Sequence, residues 1–173
     1  MKVAFIGQVD YRDRELTVKL TEKVKKIVEK LIVENGAEEF LFASGITFNR
    51  ICLDVVTELK IKYPHIRRIF VTMYKVYRKR DRDYLMKCFD SLKEPENSRE
   101  KGQFPSIKAN QKIIDECDYL IAYYDKNAKC KYCYYEDVKI SLNDNQTQPK
   151  SEIKVALNYA FSNNVDFVNL FEE

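Results

Sequence analysis

The sequence predicts an α/β protein of Rossmann-like, doubly wound design, with a mainly parallel sheet of about five strands and helices on both faces. Three observations predict it. Short, nearly all-apolar runs recur along the chain, stretches with apolar residues at helical spacing separate them, and small or polar residues turn the chain out of each run. A strand that is apolar at almost every position is buried on both faces, as parallel strands under helices are. Right-handed crossovers then wind the helices onto both sides.

Residues 2–7 form the first strand, and Gly7 opens a polar turn, Gln8-Val9-Asp10. From about residue 14 to 35, Leu16, Leu20, Val24, Ile27, Val28, Leu31 and Ile32 recur at helical spacing, and Asn35-Gly36 supplies the stop. EFLFA at 39–43 is the second strand, with Ser44-Gly45 turning out of it. A helix follows from 47 to about 62, with Ile51, Val55, Val56 and Leu59 on one side, and Tyr63-Pro64 closes it. RIFVTM at 68–73 is the third strand. Residues 74–102 carry weaker signals: a charged run, a short helix around 83–88, then a loss of pattern near Pro95. A helix at 106–116 leads into DYLIAYY at 118–124, the fourth strand. A helix at 150–163 and the strand VDFVNL at 165–170 complete the set. The intervening segment is polar and tyrosine-rich, and it reads as an insertion at 126–149 containing a small hairpin.

At 173 residues the chain fits one domain, 1–173, with a full core. Its 45% apolar and 13% aromatic content excludes general disorder. No run is long enough to cross a membrane, and the first apolar run is too short for a signal-peptide core. The net charge of +3, from 30 basic and 27 acidic residues, argues neither for nor against nucleic acid. Five cysteines (Cys52, Cys88, Cys117, Cys130 and Cys133) in such a chain suggest reduced thiols in a cytoplasm. In a doubly wound sheet, ligands bind beyond the carboxyl ends of the strands. That rule gathers residues 7–10, 44–49, 73–75 and 124 onward around one crevice.

FIG at 5–7, FASG at 42–45, ELKIKYPHI at 58–66, FVTMY at 70–74, KANQKIIDECDYLIAYYD at 108–125 and the closing ALNYA and NL occur in an order that resembles the SLOG superfamily. Within it they are most similar to the small YpsA-like single-domain bacterial proteins. The superfamily also takes in the DprA/Smf DNA-uptake proteins and the lonely-guy phosphoribohydrolases. The likeness spans roughly residues 1–125 and 150–171. It implies a Rossmann-like fold and a pocket suited to nucleotides or their derivatives. Asn110 matches the family pattern, whereas several positions depart from it. Gly7-Gln8-Val9 replaces Gly-His-Arg, and Asn49 and Ile51 stand where relatives carry glycine and aspartate. Gln146-Thr147-Gln148-Pro149-Lys150-Ser151 replaces a Gly-Gly approach to the last helix, and the lonely-guy signature is absent.

Each candidate has a plain structural alternative. Ser44-Gly45 either brings backbone N–H groups to an anion at a helix start or is an ordinary turn. Lys150 and Ser151 open a helix after Pro149, so they either hold a phosphate or cap that helix. Gln8 can hydrogen-bond a base or ribose, while Asp10 reads as a solvated turn residue. His65, the one histidine, lies at the amino-terminal edge of the sheet and leaves histidine chemistry without a candidate. Cys130-x-x-Cys133 offers two thiolates where structural zinc wants four ligands, so the pair reads as inert surface thiols, with a metal or a disulfide as the alternative. Cys117 reads as a core thiol. Lys75, Arg78, Lys79, Arg80 and Arg82, interleaved with Tyr77 and preceded by Tyr74, form either a solvated face, diluted by Asp81 and Asp83, or a contact for phosphates.

The expected ligand site is therefore Gly7, Gln8, Ser44, Gly45, Asn49, Tyr74, Lys75, Asn110, Asp125, Lys150 and Ser151. It would bind a nucleotide-type small molecule as a non-catalytic sensor or sequestering protein, with no cofactor and no catalytic residue assigned. The alternatives are an N-glycosidic nucleotide hydrolase drawing on Asp10, Asp54 or Asp125, and a DprA-like single-strand binder. Extended nucleic acid and membrane are not expected as partners, and association between copies of the chain is left open.

Overall fold

A computed structural model describes residues 1–9, 12–43, 48–95, 105–125 and 152–171. In chain order the elements are β1 (Lys2–Gly7), α1 (Arg14–Asn35), β2 (Glu39–Phe42), α2 (Phe48–Lys62), β3 (Arg67–Val71), α3 (Lys79–Cys88), β4 (Ser91–Lys93), α4 (Pro105–Glu116), β5 (Tyr119–Tyr123), α5 (Glu152–Ser162) and β6 (Asp166–Asn169). The six strands make one sheet, ordered β4-β3-β2-β1-β5-β6, and every pairing is parallel. This is the Rossmann-like doubly wound α/β fold that the alternation of runs predicts. The sheet gains one strand, because β4 lies in the weakly patterned stretch and is only three residues long.

Successive side chains of a strand point to opposite faces, and the core divides accordingly. Val3, Phe5, Phe40 and Phe42 pack with Leu20, Val24 and Val28 of α1 and Val55, Val56 and Leu59 of α2. On the other face, Ala4, Ile6, Leu41 and Ile69 pack with Ile113 and Ile114 of α4 and Ala156 and Ala160 of α5. Phe5 stacks on Phe40 and Phe42 at centroid distances of 6.1 and 5.0 Å. Each fully buried ring of this kind contributes about 2–3 kcal/mol.

Helix α1 has a defined end on each side. Asp13 accepts the Leu16 N–H at 2.9 Å, and Gly36 takes a left-handed φ of 64°, which lets the Ala37 N–H reach Leu31 O at 3.0 Å. Helix α3 is its opposite. Arg78 caps it without a side-chain hydrogen bond, and none of its residues is buried. Among the described residues no helix is long and apolar enough to cross a membrane.

At the amino-terminal edge, aspartates close the sheet. Asp118, just before β5, accepts the Lys2 N–H at 2.7 Å and returns its own N–H to Lys2 O at 2.9 Å. Asp90, just before β4, does the same for Arg68, at 2.7 and 2.8 Å. Asp90 also takes the Arg68 guanidinium at 3.1 and 3.2 Å and Lys60 Nζ at 3.2 Å. Partial burial alone would raise its carboxyl, yet the Arg68 and Lys60 donors hold it down at about 2.

Candidate functional site

The winding of the sheet reverses between β1 and β5. β2, β3 and β4 are laid down on one side of β1, and β5 and β6 on the other. Beyond such a reversal the connections diverge and leave a crevice at the carboxyl ends of the two strands. Gly7 and Tyr123 are register partners at that point, and the Gln8 N–H donates to Tyr123 O at 3.4 Å.

Gly7 is held to a hydrogen at Cα by its neighbours. A Cβ there would lie 2.6 Å from Phe48 Cδ1 and 2.9 Å from the carbonyl oxygen of Tyr123. Phe48, fully buried as the first residue of α2, thus lies across the end of β1. Its ring meets that of Tyr123 at 6.0 Å, and Tyr123 meets Phe171 edge-on at 6.0 Å. These three rings line the β1, β5 and β6 ends on the α1–α2 side. Burial raises the pKa of the Tyr123 hydroxyl, and the nearby carboxylates of Asp125 and Asp13 add to the effect.

Asn169 pins the exit from β5. Its Oδ1 accepts the Tyr124 N–H at 2.9 Å, and its Nδ2 donates to Tyr124 O at 3.1 Å. One buried amide thereby stands in for a rung of the ladder and fixes where Tyr124 and Asp125 leave the sheet. Both of those residues are half-buried, as are Gly7 and Gln8. Gln8 and Asp125 each have further polar interactions.

The predicted residues fall into three groups. Gly7, Gln8 and Asp125 come together at the reversal, and Asn49 follows Phe48 in the first turn of α2, buried at 4% exposure with polar interactions of its own. Tyr74 and Lys75 do not join them. They follow β3, two strands from β1 and so roughly 10 Å across the sheet. Thr72 Oγ1 donates to Tyr74 O at 2.9 Å and accepts the Tyr74 N–H at 3.1 Å, which turns the chain there. Glu94, after β4, then accepts the Val76 N–H at 2.7 Å and Arg82 at 2.8 Å. Those two donors lower its pKa, and Lys75 adds to the effect. Asn110 is half-buried in the middle of α4, which packs beside α5 on one face of the sheet. Ser44, Gly45, Lys150 and Ser151 lie outside the described residues, as do Asp10, Cys130, Cys133 and the insertion at 126–149.

Phe48, Tyr123, Asn169, Asp13 and Glu94 were not singled out from sequence. Only Asp13 carried a usable signal, as an aspartate placed to cap a helix. The others matter through partners far away in sequence.

Several groups are placed away from chemistry at the crevice. His65 is exposed in the turn between α2 and β3, edge-on to Tyr63 at 6.3 Å, at the opposite edge of the sheet. Burial pushes the Cys52 thiol well up and the Cys117 thiol to about 12, where Asp118 contributes too. Asp54 lies on the exposed flank of α2, paired with Arg50 at 3.2 Å. Among the described residues no group of three His, Cys, Asp or Glu side chains is placed to hold a metal ion.

No family model matches the chain, and no curated protein matches it.

Proposed function

We propose that the chain binds a nucleotide-type small molecule at the carboxyl ends of β1 and β5, without transforming it, as a sensor or sequestering protein. The observation that carries this reading is the reversal of the all-parallel sheet at β1 and β5, which is where ligands of such sheets sit. The half-buried Gln8, Tyr124 and Asp125 supply hydrogen-bonding groups suited to ribose hydroxyls or a base edge. Likeness of the sequence to the SLOG superfamily supports the same ligand class, and we take the chain as a divergent member.

Two features shape the proposal further. In many dinucleotide-binding folds the amino end of the first helix holds the phosphates. Here the Asp13 carboxylate caps that helix end, and a second negative charge beside it is unfavourable. A phosphate is therefore not expected at the amino end of α1. The crevice side chains also favour binding over catalysis. The histidine is at the other edge, the core thiols are held protonated, and the Asp54 carboxylate is bound to Arg50.

A thermal-shift screen with nucleoside phosphates, dinucleotides and ADP-ribose derivatives tests the reading. A ligand present at a hundredfold excess over its Kd raises the melting temperature by roughly 5–10 °C, and Gln8→Ala with Asp125→Ala abolishes the rise. No stabilisation by any of these compounds would reject the reading. Turnover of a nucleoside monophosphate that disappears in Asp125→Ala would replace it with the hydrolase reading.

A further inference from the structure

The positive charge of this protein is concentrated in one short segment. Residues 75–87 hold six basic and two acidic side chains, a larger excess than the +3 of the whole chain, so the remainder is slightly acidic. Read along the sequence, Asp81 and Asp83 dilute the run. In the fold, Asp81 is tied to Arg78 at 2.7 Å and Glu94 to Arg82 at 2.8 Å. The second pair ties the segment to the end of β4, and Lys79, Arg80 and Lys87 are left with no carboxylate partner among the described residues.

Those three cations share one face of α3 with Asp83 and Tyr84, at positions one, two, five, six and nine of the helix. The five side chains line a shallow depression of about 500 Å³. Tyr84 is 62% exposed, Tyr77 beside the helix start is 76% exposed and Tyr74 is 47% exposed. Helix α3 buries none of its residues, and its contact with the core is made by the partly buried Leu85 and Cys88. The helix therefore presents nearly its whole charged surface outward, at the β3–β4 side of the sheet rather than at the β1–β5 crevice.

We propose that this face binds single-stranded nucleic acid, as a second site independent of the crevice. Cations on one helix face can neutralise phosphates of a flexible backbone, and an exposed tyrosine ring offers an unpaired base a surface on which to stack. A base within a duplex cannot reach such a ring. A membrane surface fits less well, because an interfacial helix needs a broad apolar face and the partly buried apolar residues of α3 are packed against the core.

Fluorescence anisotropy with a labelled 20-nucleotide single strand and the full-length protein tests the proposal. With three phosphates neutralised, binding weakens about 20-fold between 50 and 200 mM salt. Reversing the charges together (Lys79→Glu, Arg80→Glu and Lys87→Glu) abolishes binding and its salt dependence, with the melting temperature kept. Tyr84→Ala weakens binding by about 5- to 150-fold, the range for one stacked base, while Tyr84→Phe retains it. The proposal is overturned if the wild-type protein does not bind the strand at 50 mM salt, or if the charge-reversed variant still binds. Equal binding of a duplex of the same sequence, or of vesicles rich in anionic lipid, overturns it too. Gln8→Ala leaves this binding unchanged, so failure of the crevice reading and failure of this one are distinguishable.

Discussion

The two edges of the sheet are closed by different chemistry. At the amino-terminal edge, Asp118 and Asp90 repeat one device: each precedes a strand, takes an N–H near the start of the neighbouring strand on its carboxylate and returns its own N–H to the same residue. At the carboxyl-terminal edge, strand ends are packed by rings, with Phe48 over Gly7 and against Tyr123, and a single amide, Asn169, holds the β5 exit. The amino edge uses its ionised groups on its own backbone. The carboxyl edge uses hydrocarbon and a neutral amide where the amino edge uses carboxylates, and its half-buried Gln8 and Asp125 carry polar interactions as well. A binding site keeps its geometry where rigid elements and supporting hydrogen bonds hold the residues that meet the ligand.

The largest expected effect breaks the carboxyl-edge closure. Phe48→Ala removes a fully buried ring and destabilises the protein by about 3–5 kcal/mol. Gly7→Ala acts on the same contact from the other side. Its new methyl meets Phe48, which can shift, and the Tyr123 carbonyl, which cannot do so without moving β5. A loss of about 1–3 kcal/mol follows, and combining it with Phe48→Leu restores only part of it. Urea midpoints of the three variants check this. A neutral Gly7→Ala would mean that the glycine is kept open for a ligand rather than for the ring.

A smaller effect separates the amino edge by pH. The folded-state value of Asp90, about 2, lies below the usual 3.8. Its contribution is therefore fully present above about pH 4 and is lost as pH falls through about 2, amounting to about 2 kcal/mol. Asp90→Asn removes this loss and lowers stability at neutral pH by a similar amount. Urea denaturation of both proteins between pH 6 and pH 2.5 measures it, and parallel curves for wild type and variant would show that the Arg68 and Lys60 contacts stabilise nothing.

The strands and helices were legible because burial on two faces leaves an all-apolar signature, as in VAFI of β1 or YLIAY of β5, and because Asn35-Gly36 marks a helix end locally. β4 was missed for the opposite reason. Ser91–Lys93 is an edge strand of half-buried residues, and what orders it is the Asp90 contact with Arg68, 22 residues away. The site was legible only as a position. Placement of Gln8 and Asp125 follows from strand ends, whereas the covering of Gly7 by Phe48 depends on a contact 41 positions away that no local pattern encodes. Tyr74 and Lys75 were grouped with the crevice because every strand end was taken together, and the strand order separates them by two strands.

The smallest effect sharpens the contrast between residues that belong to the crevice and residues that are only near it in sequence terms. Asp54 and Asp125, with Asp10, were the carboxylates offered for a hydrolase. Asp54 is a solvent-facing partner of Arg50 one helical turn away, and such pairs contribute no more than about 0.5 kcal/mol. Asp54→Ala therefore shifts the urea midpoint barely beyond error and leaves ligand affinity at the wild-type value. Asp125 is half-buried where β5 leaves the sheet, beside the Tyr123 hydroxyl whose pKa it helps to raise. Asp125→Ala removes a hydrogen-bond acceptor from the crevice, so its effect is read in ligand affinity, with the urea midpoint measured beside it. Equal affinity losses in the two variants would mean that the ligand lies along the flank of α2, and the strand-end rule would not govern this sheet.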